Sequence, residues 1–235
     1  MKALFSRRTA ALVLLTIASF SLPVHAPGQP AISAAHAAAN LFGHNLIVNG
    51  DAEAGPGAMD DSTFISPPGW RTPGLPRTKG LTVASYTGSS LDLSLTTPGP
   101  RNRGKNYFYG GPSGSKDTST EQRISLAGAA SAIDAGTVTF TLSGWLGGLS
   151  SQRDNALLRA VFLNSAGMKV GDAVLGPVTP SMRKQETGLF LQQVTKQLPT
   201  GTRTVVVDLL MKWYDGSDND GMADNLSLVL KAPAA

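Results

Sequence analysis

The 235-residue sequence has no cysteine, so no disulfide staples the fold. Its three histidines, His25, His36 and His44, all lie near the N-terminus. A structural zinc centre therefore has no thiolate and no interior imidazole to use. The same lack removes the usual Ser-His and Cys-His nucleophile pairs. There is no Gly-x-Ser-x-Gly elbow. The pairs Gly110-Gly111 and Gly147-Gly148 are not followed by the Lys-Ser/Thr of a phosphate loop, and they read as turns. Charged residues make up only 15% of the chain, and the net charge is +4. Lys2, Arg7 and Arg8 account for most of that excess; beyond residue 26 the chain holds 17 basic against 16 acidic residues, a net of +1. A nucleic-acid footprint needs a clustered basic face, and none is visible. What stays open for a bound cation is all-oxygen coordination, as for calcium.

The chain begins with a basic stretch, then an apolar run over 10–20, then small-x-small sites at Val24-His25-Ala26 and Ala35-His36-Ala37. That order predicts a secretory signal peptide over 1–26, and the protein is expected to be secreted or associated with the cell surface. The apolar run is shorter than the ~20 residues of a membrane span. Ser6-Arg7-Arg8 hints at twin-arginine export, but the motif is incomplete. Residues 27–40, rich in Ala, Pro, Gly and Ser, read as a flexible leader. One domain follows over 41–231, with 232–235 as a tail.

Within that domain, Gly and Pro punctuate short β-branched and aromatic runs every ~8–12 residues, the pattern of a sandwich or barrel. Period-two alternation is clearest over 137–146, 202–213 and 225–230. Weaker strands are expected over 46–49, 81–86, 106–109, 122–126, 157–163 and 190–194. The 202–213 run is apolar on both faces through its middle, which suits a central strand covered on both sides. A short helix is expected over 182–191. The sequence thus specifies an all-β fold.

Two stretches carry a resemblance. Near the start stands N-L-I-V-N-G-D-A-E over 45–53, followed by Pro68-Gly69-Trp70; near the end stands D-G-M-A-D-N-L-S-L over 220–228. The chain resembles the galactose-binding-like jelly rolls, in particular the family 4/9 carbohydrate-binding modules and their relatives in secreted bacterial proteins. Those modules commonly open with N-L-I-x-N-G-x-F-E and close with A-D-N-x-x-L. The turn over 199–203 and the strand over 106–111 are similar as well, so the likeness runs through 45–230. Ala52 departs from it, standing where an aromatic is usual. The resemblance implies a jelly-roll β-sandwich of two antiparallel sheets. It further implies that the first and last strands are neighbours and that a structural calcium is held by the side chains of Glu53 and Asp224, with Asp51 contributing its carbonyl. Two carboxylates brought together repel unless an ion lies between them. The alternative is that both acids are solvated turn or cap residues. The acidic run over 215–221 lacks the spacing of a helix-loop-helix calcium loop and reads as a strand connection.

With so few aromatics, each one matters. A sugar presents apolar C–H faces that stack on flat rings and hydroxyls that need polar partners. Tyr86, Tyr107, Tyr109, Trp145 and Tyr214 are the candidates for such a platform, while Trp70 and Trp213 continue apolar patterns and read as packing. Gln122, Arg153 and Asp154 are candidate hydrogen-bonding partners. The leading expectation is a secreted, non-catalytic carbohydrate-binding module. The alternatives are a structural or interaction protein that keeps the fold without a sugar site, and a jelly-roll lyase or hydrolase, which a cleft with two facing acids would revive.

Overall fold

In the computed structural model the described residues are 41–72, 81–89, 91–112, 114 and 116–232. The expected signal peptide, leader and most of the tail lie outside them. Among the described residues nine strands form two antiparallel sheets. They are β1 (Thr82–Ser85), β2 (Asn106–Gly111), β3 (Thr118–Ser125), β4 (Thr139–Gly148), β5 (Asn155–Leu163), β6 (Lys169–Leu175), β7 (Gly188–Gln197), β8 (Thr204–Lys212) and β9 (Asn219–Lys231). One sheet runs β1-β2-β9-β4-β7 and the other β3-β8-β5-β6. The fold is an all-β jelly-roll sandwich, as expected. All described residues fall in one unit, 33–235, and none of their helices is long and apolar enough to cross a membrane.

Alternation builds the interior. On β4, Phe140, Leu142 and Leu146 turn inward, and on β5 Leu158, Ala160 and Phe162 do the same. The Phe140 and Phe162 rings meet at 4.8 Å across the two sheets. From β8 come Val205, Val207, Leu209 and Met211, all 0% exposed. Each fully buried side chain of this size contributes roughly 1.5–3 kcal/mol. The sole α-helix of the described residues, α1 (Ala130–Asp134), contributes Ile133 to the same core.

Several expectations need correction. Residues 182–191 form no helix: 181–185 are turns, and β7 begins at Gly188. The 46–49 stretch is not a strand but a turn-rich segment laid along β9, since Leu46 N donates to Leu228 O at 2.9 Å. Both glycine pairs lie within strands, at the ends of β2 and β4. They are small because backbone passes close by: a Cβ on Gly147 would sit 1.8 Å from Gly188 O. Strand β8 is interior to its sheet, but its second face is only partly covered, with Asp208 ion-paired to Arg159 at 2.6 Å. Strand β6, an edge strand of which only Ala173 and Leu175 are buried, carried no clear alternation signal.

Candidate functional site

The first and last segments of the domain meet. Asn45 straddles β9: its Nδ2 donates to Leu226 O at 2.9 Å, and its Oδ1 accepts from Leu228 N at 2.9 Å. Leu226 N in turn donates to Gly50 O at 2.7 Å. A Cβ on Gly50 would lie 2.1 Å from Leu226 O, so only glycine permits this contact. The docking brings Asp51 and Glu53 beside Asp224. Glu53 Oε1 accepts from Lys105 N and Asn106 N, each at 2.7 Å, which fixes its carboxylate against the 104–106 turn. Asn106 closes the loop from the other side by donating to Ala52 O and Gly55 O.

Asp224 is fully buried. Its Oδ2 accepts from the Tyr86 hydroxyl at 2.7 Å and its Oδ1 from Asn225 N at 2.6 Å. Burial pushes its carboxyl up to about 8; those two hydrogen bonds oppose the shift, and the charges of Glu53 and Asp51 add to it. Ion pairs among the described residues occupy Glu121, Asp215, Asp208, Asp172, Asp134 and Asp117, but none of Asp51, Glu53 or Asp224. An all-oxygen donor set carrying excess negative charge fits a calcium-type ion. Among the described residues no three Asp, Glu, His or Cys side chains form a metal-holding group by themselves. Backbone carbonyls and waters would have to complete any coordination here.

The outer face of the five-stranded sheet divides in two. Its registers set Asp224, Trp145 and Leu191 in one row across β9, β4 and β7, and pair Ala84 with Tyr107 and Met222 with Tyr109 on the β1–β2 side. On the β1–β2 side, Tyr86, Tyr107 and Tyr109 are 2%, 0% and 3% exposed. They pack with Leu93, Leu189 and Met222, and with the partly buried Leu91. The sequence placed these tyrosines on an open platform; instead the segment over 91–103 covers them. Arg103 knits that cover together by donating to Ser94 O, Thr97 O and Pro100 O, and its guanidinium stands 5.2 Å from the Tyr86 ring centroid. Leu189 N donates to Pro98 O at 2.9 Å and ties the cover to β7.

On the β4–β7 side the face is open. Trp145 is partly buried at the boundary and walls a cleft of ≈ 390 Å³ with Asn45, Asp51, Asn102, Asn225 and Ser227. Beyond it, Leu191, Gln193 and Thr195 of β7 are exposed. Thr195 shares a 2.8 Å hydroxyl contact with Thr141 of β4. Tyr214 is 46% exposed, but it sits in the β8–β9 connection and is not part of this cleft. The other polar candidates are committed to structure. Asp154 is fully buried and accepts from the amides of Tyr214, Asp215 and Asp220, holding the 213–220 connection. Arg153 pairs with Asp215 at 3.0 Å. Gln122 mimics a strand partner, exchanging both of its amide groups with the Val48 backbone. Trp70 packs edge-on against Phe108 at 5.6 Å, and Trp213 Nε1 donates to Gly216 O.

Sequence reasoning missed Asn102 and Asn225, whose side chains hydrogen-bond each other at 3.2 Å in the cleft. The A-D-N match singled out the residue beside Asn225 but carried no signal for Asn102. It also missed Asp92 and Asp220 as neighbours of the tyrosines, because nothing in the alternation marks a covering loop.

No protein-family model matches the chain, and no curated protein matches it. Solved structures share its fold. A cyclase from Fischerella sp. TAU, in complex with 4-(1H-indol-3-yl)butan-2-one, superposes with TM-score 0.50 at 16% identity, covering 82% of this chain and 99% of that one. A family 16 carbohydrate-binding module gives 0.45 at 21% identity, covering 79% and 99%. The enzymatically active domain of tailspike protein 4 from bacteriophage CBA120 gives 0.43 at 15% identity over 79% of this chain, which spans only 21% of that structure. These likenesses are of fold: the chain is a jelly-roll sandwich whose structural neighbours include carbohydrate-binding modules and a cyclase.

Proposed function

We propose that this chain is a secreted, non-catalytic carbohydrate-binding module akin to families 4 and 9. It holds a poly- or oligosaccharide against the open half of its five-stranded sheet and carries a structural calcium at Glu53 and Asp224. The observation that carries this reading is the pairing of Trp145 with Asn102, Asn225 and Ser227 around one open cleft. An indole offers an apolar plane for one face of a sugar ring, while amides and hydroxyls match its rim. The exposed Gln193 and Thr195 continue the polar surface along β7, giving an extended chain room to lie. The basic start, apolar run and small-residue sites of the N-terminus support export.

The calcium would be held by Glu53 and Asp224, with the Asp51 carbonyl and waters completing its shell. It would neutralise charge and join the chain's opening segment to its last strand. A non-catalytic role is supported by the placement of Asp220 and Asp224, which are 6% and 0% exposed beneath tyrosines rather than facing each other across an open cleft.

Retention on insoluble polysaccharides and binding on a glycan array test the sugar reading. The protein should be retained by at least one glycan, and Trp145→Ala should abolish retention while the protein still unfolds cooperatively. A folded protein retained by no glycan overturns it. That outcome would favour the second reading, an interaction protein that keeps the fold without a sugar site, which the burial of Tyr86, Tyr107 and Tyr109 supports.

A further inference from the structure

The run over 202–213 has the sequence of a strand covered on both faces, yet the sandwich covers only one of them. Strand β8 sends Val205, Val207, Leu209 and Met211 inward. Its other side chains join those of β3, β5 and β6 on the outer face of the four-stranded sheet, across the sandwich from the Trp145 cleft. The registers order that face in rows. One row sets Arg123, Val206, Val161 and Asp172 side by side across β3, β8, β5 and β6. The next sets Glu121, Asp208, Arg159 and Val174 in the same order. In a third, Leu210 of β8 lies beside Leu157 of β5. A sheet face that stays in water turns polar side chains outward. Here apolar pairs flank the charged row on the two central strands. Leu157, Val161 and Leu210 stay partly exposed, and Val174 is exposed.

This pattern is its own complement. Consider a two-fold axis in the plane of contact, running along the strands between β8 and β5. It lays each row on itself in reverse, so that β8 faces β5 of a second copy and β3 faces its β6. Val206 then meets Val161, Leu210 meets Leu157 and Asp208 meets Arg159, each of the other copy. Within one chain Arg159 and Asp208 are already paired at 2.6 Å. Two copies therefore close a ring of four alternating charges at the centre of the contact. At the rim Arg123, which belongs to no ion pair of the described residues, meets Asp172, whose ion-pair partner in its own chain is Lys169. Glu121 lies over Val174 and keeps its own Arg71.

We propose that this face joins two copies of the chain, sheet against sheet, in an isologous dimer. Sheets packed face to face cross at about 30°. On β3, about 7 Å from the axis, that angle displaces facing residues by about 4 Å, within the reach of Arg and Asp side chains. The four strands are seven to nine residues long. They offer a face of about 19 Å by 26 Å, roughly 500 Å² per copy. Standard interfaces bury about 800 Å² per partner, so the dimer is of the weak, reversible class, with a Kd on the order of 10⁻⁵ M. The five-stranded sheets end on opposite outer sides, and both Trp145 clefts stay open. This inference does not depend on the sugar reading.

Sedimentation velocity of the protein from about 1 µM to about 500 µM brackets that Kd and should show a reversible monomer–dimer equilibrium. Arg123→Glu and Asp172→Arg are changes at exposed positions. Each alone should weaken self-association about 10-fold or more, because like charges then meet twice in every dimer. Mixing the two single variants in equal amounts should restore dimerisation, since every carboxylate at the rim again faces a guanidinium. Cooperative urea unfolding of each variant checks that the fold survives. A protein that stays monomeric up to about 500 µM, as it would if a different partner covered this face, overturns the proposal. So does a dimer that neither reversal weakens, or a pair of variants that associate no better mixed than apart.

Discussion

The hydroxyl of Tyr86 and the carboxylate of Asp224, 138 positions apart in sequence, meet at 2.7 Å inside the outer layer of the five-stranded sheet. The contact shields a buried acid, and this acid makes stability depend on pH. Its folded-state carboxyl is pushed up to about 8 from the ordinary 3.8, chiefly by burial. The folded protein therefore holds this proton more tightly than the unfolded chain does. In metal-free buffer the contribution is fully present below the unfolded value of 3.8 and is lost as pH rises towards about 8. Asp220, raised to about 6 by burial, acts in the same direction over a narrower window. Urea unfolding with EDTA should show stability falling steadily between about pH 4 and pH 8.5. Asp224→Asn should remove most of that slope, and a flat profile in the unmutated protein would contradict the assignment.

Calcium should reverse the penalty. At free calcium about 100 times its Kd, one site adds about 2.7 kcal/mol. For a domain of this size that is a rise of roughly 5–10 °C in the thermal midpoint over EDTA-treated protein. Asp224→Ala should lower the midpoint and abolish the calcium response at this site, so that mutation and EDTA do not add. Additive losses would show that the ion, if bound, sits elsewhere.

Much of this architecture is legible in sequence, and the failures have physical causes. Alternating Val205, Val207, Leu209 and Met211 identify β8 and its inward face, because burial on one side of a pleat imposes period two. The opening and closing motifs mark two segments that do meet, Leu226 N donating to Gly50 O and Leu46 N to Leu228 O. The tyrosines mislead because a strand's pattern says which face a side chain takes, not whether a later loop covers that face. Tyr107 and Tyr109 do share a face, and the segment over 91–103 then buries it. Residues 182–191 mislead in a different way. Their apolar spacing suits a helix turn, but Arg183 is drawn inside to cap the carbonyls of Leu149, Gln152 and Val178, and the chain stays in turns.

That buried Arg183 yields a third prediction. It is 1% exposed, and burial lowers its pKa from the ordinary guanidinium value. Its donors serve three backbone carbonyls that no other side chain reaches in the hydrogen-bond network of the described residues. Arg183→Met should cost about 3–5 kcal/mol, read as a fall in the urea midpoint without a change in slope. A loss below about 1 kcal/mol would mean that water replaces the guanidinium there.

Gly50 offers a sharper structural test. Gly50→Ala sets a methyl against Leu226 O, so the opening segment must draw back from β9. Stability should fall by about 1–3 kcal/mol, as overpacking usually costs. The calcium-induced rise in the midpoint should shrink with it, since Asp51 and Glu53 move with Gly50. An unaltered calcium response would separate the ion from this junction.

Between Ser143 and Trp145 the pairing of β4 with β9 slips by one residue, at Asn225, whose φ is 49°. Before that slip, even-numbered residues of β9 point outward to the tyrosines; after it, even-numbered Leu226, Leu228 and Leu230 point into the sandwich. One extra residue thus acts as a phase changer, letting a single strand be acidic outside along one stretch and oily inside along the next. Deleting it would swing Asp220 and Asp224 among the leucines, so the same insertion that admits an amide to the cleft also keeps charge out of the core.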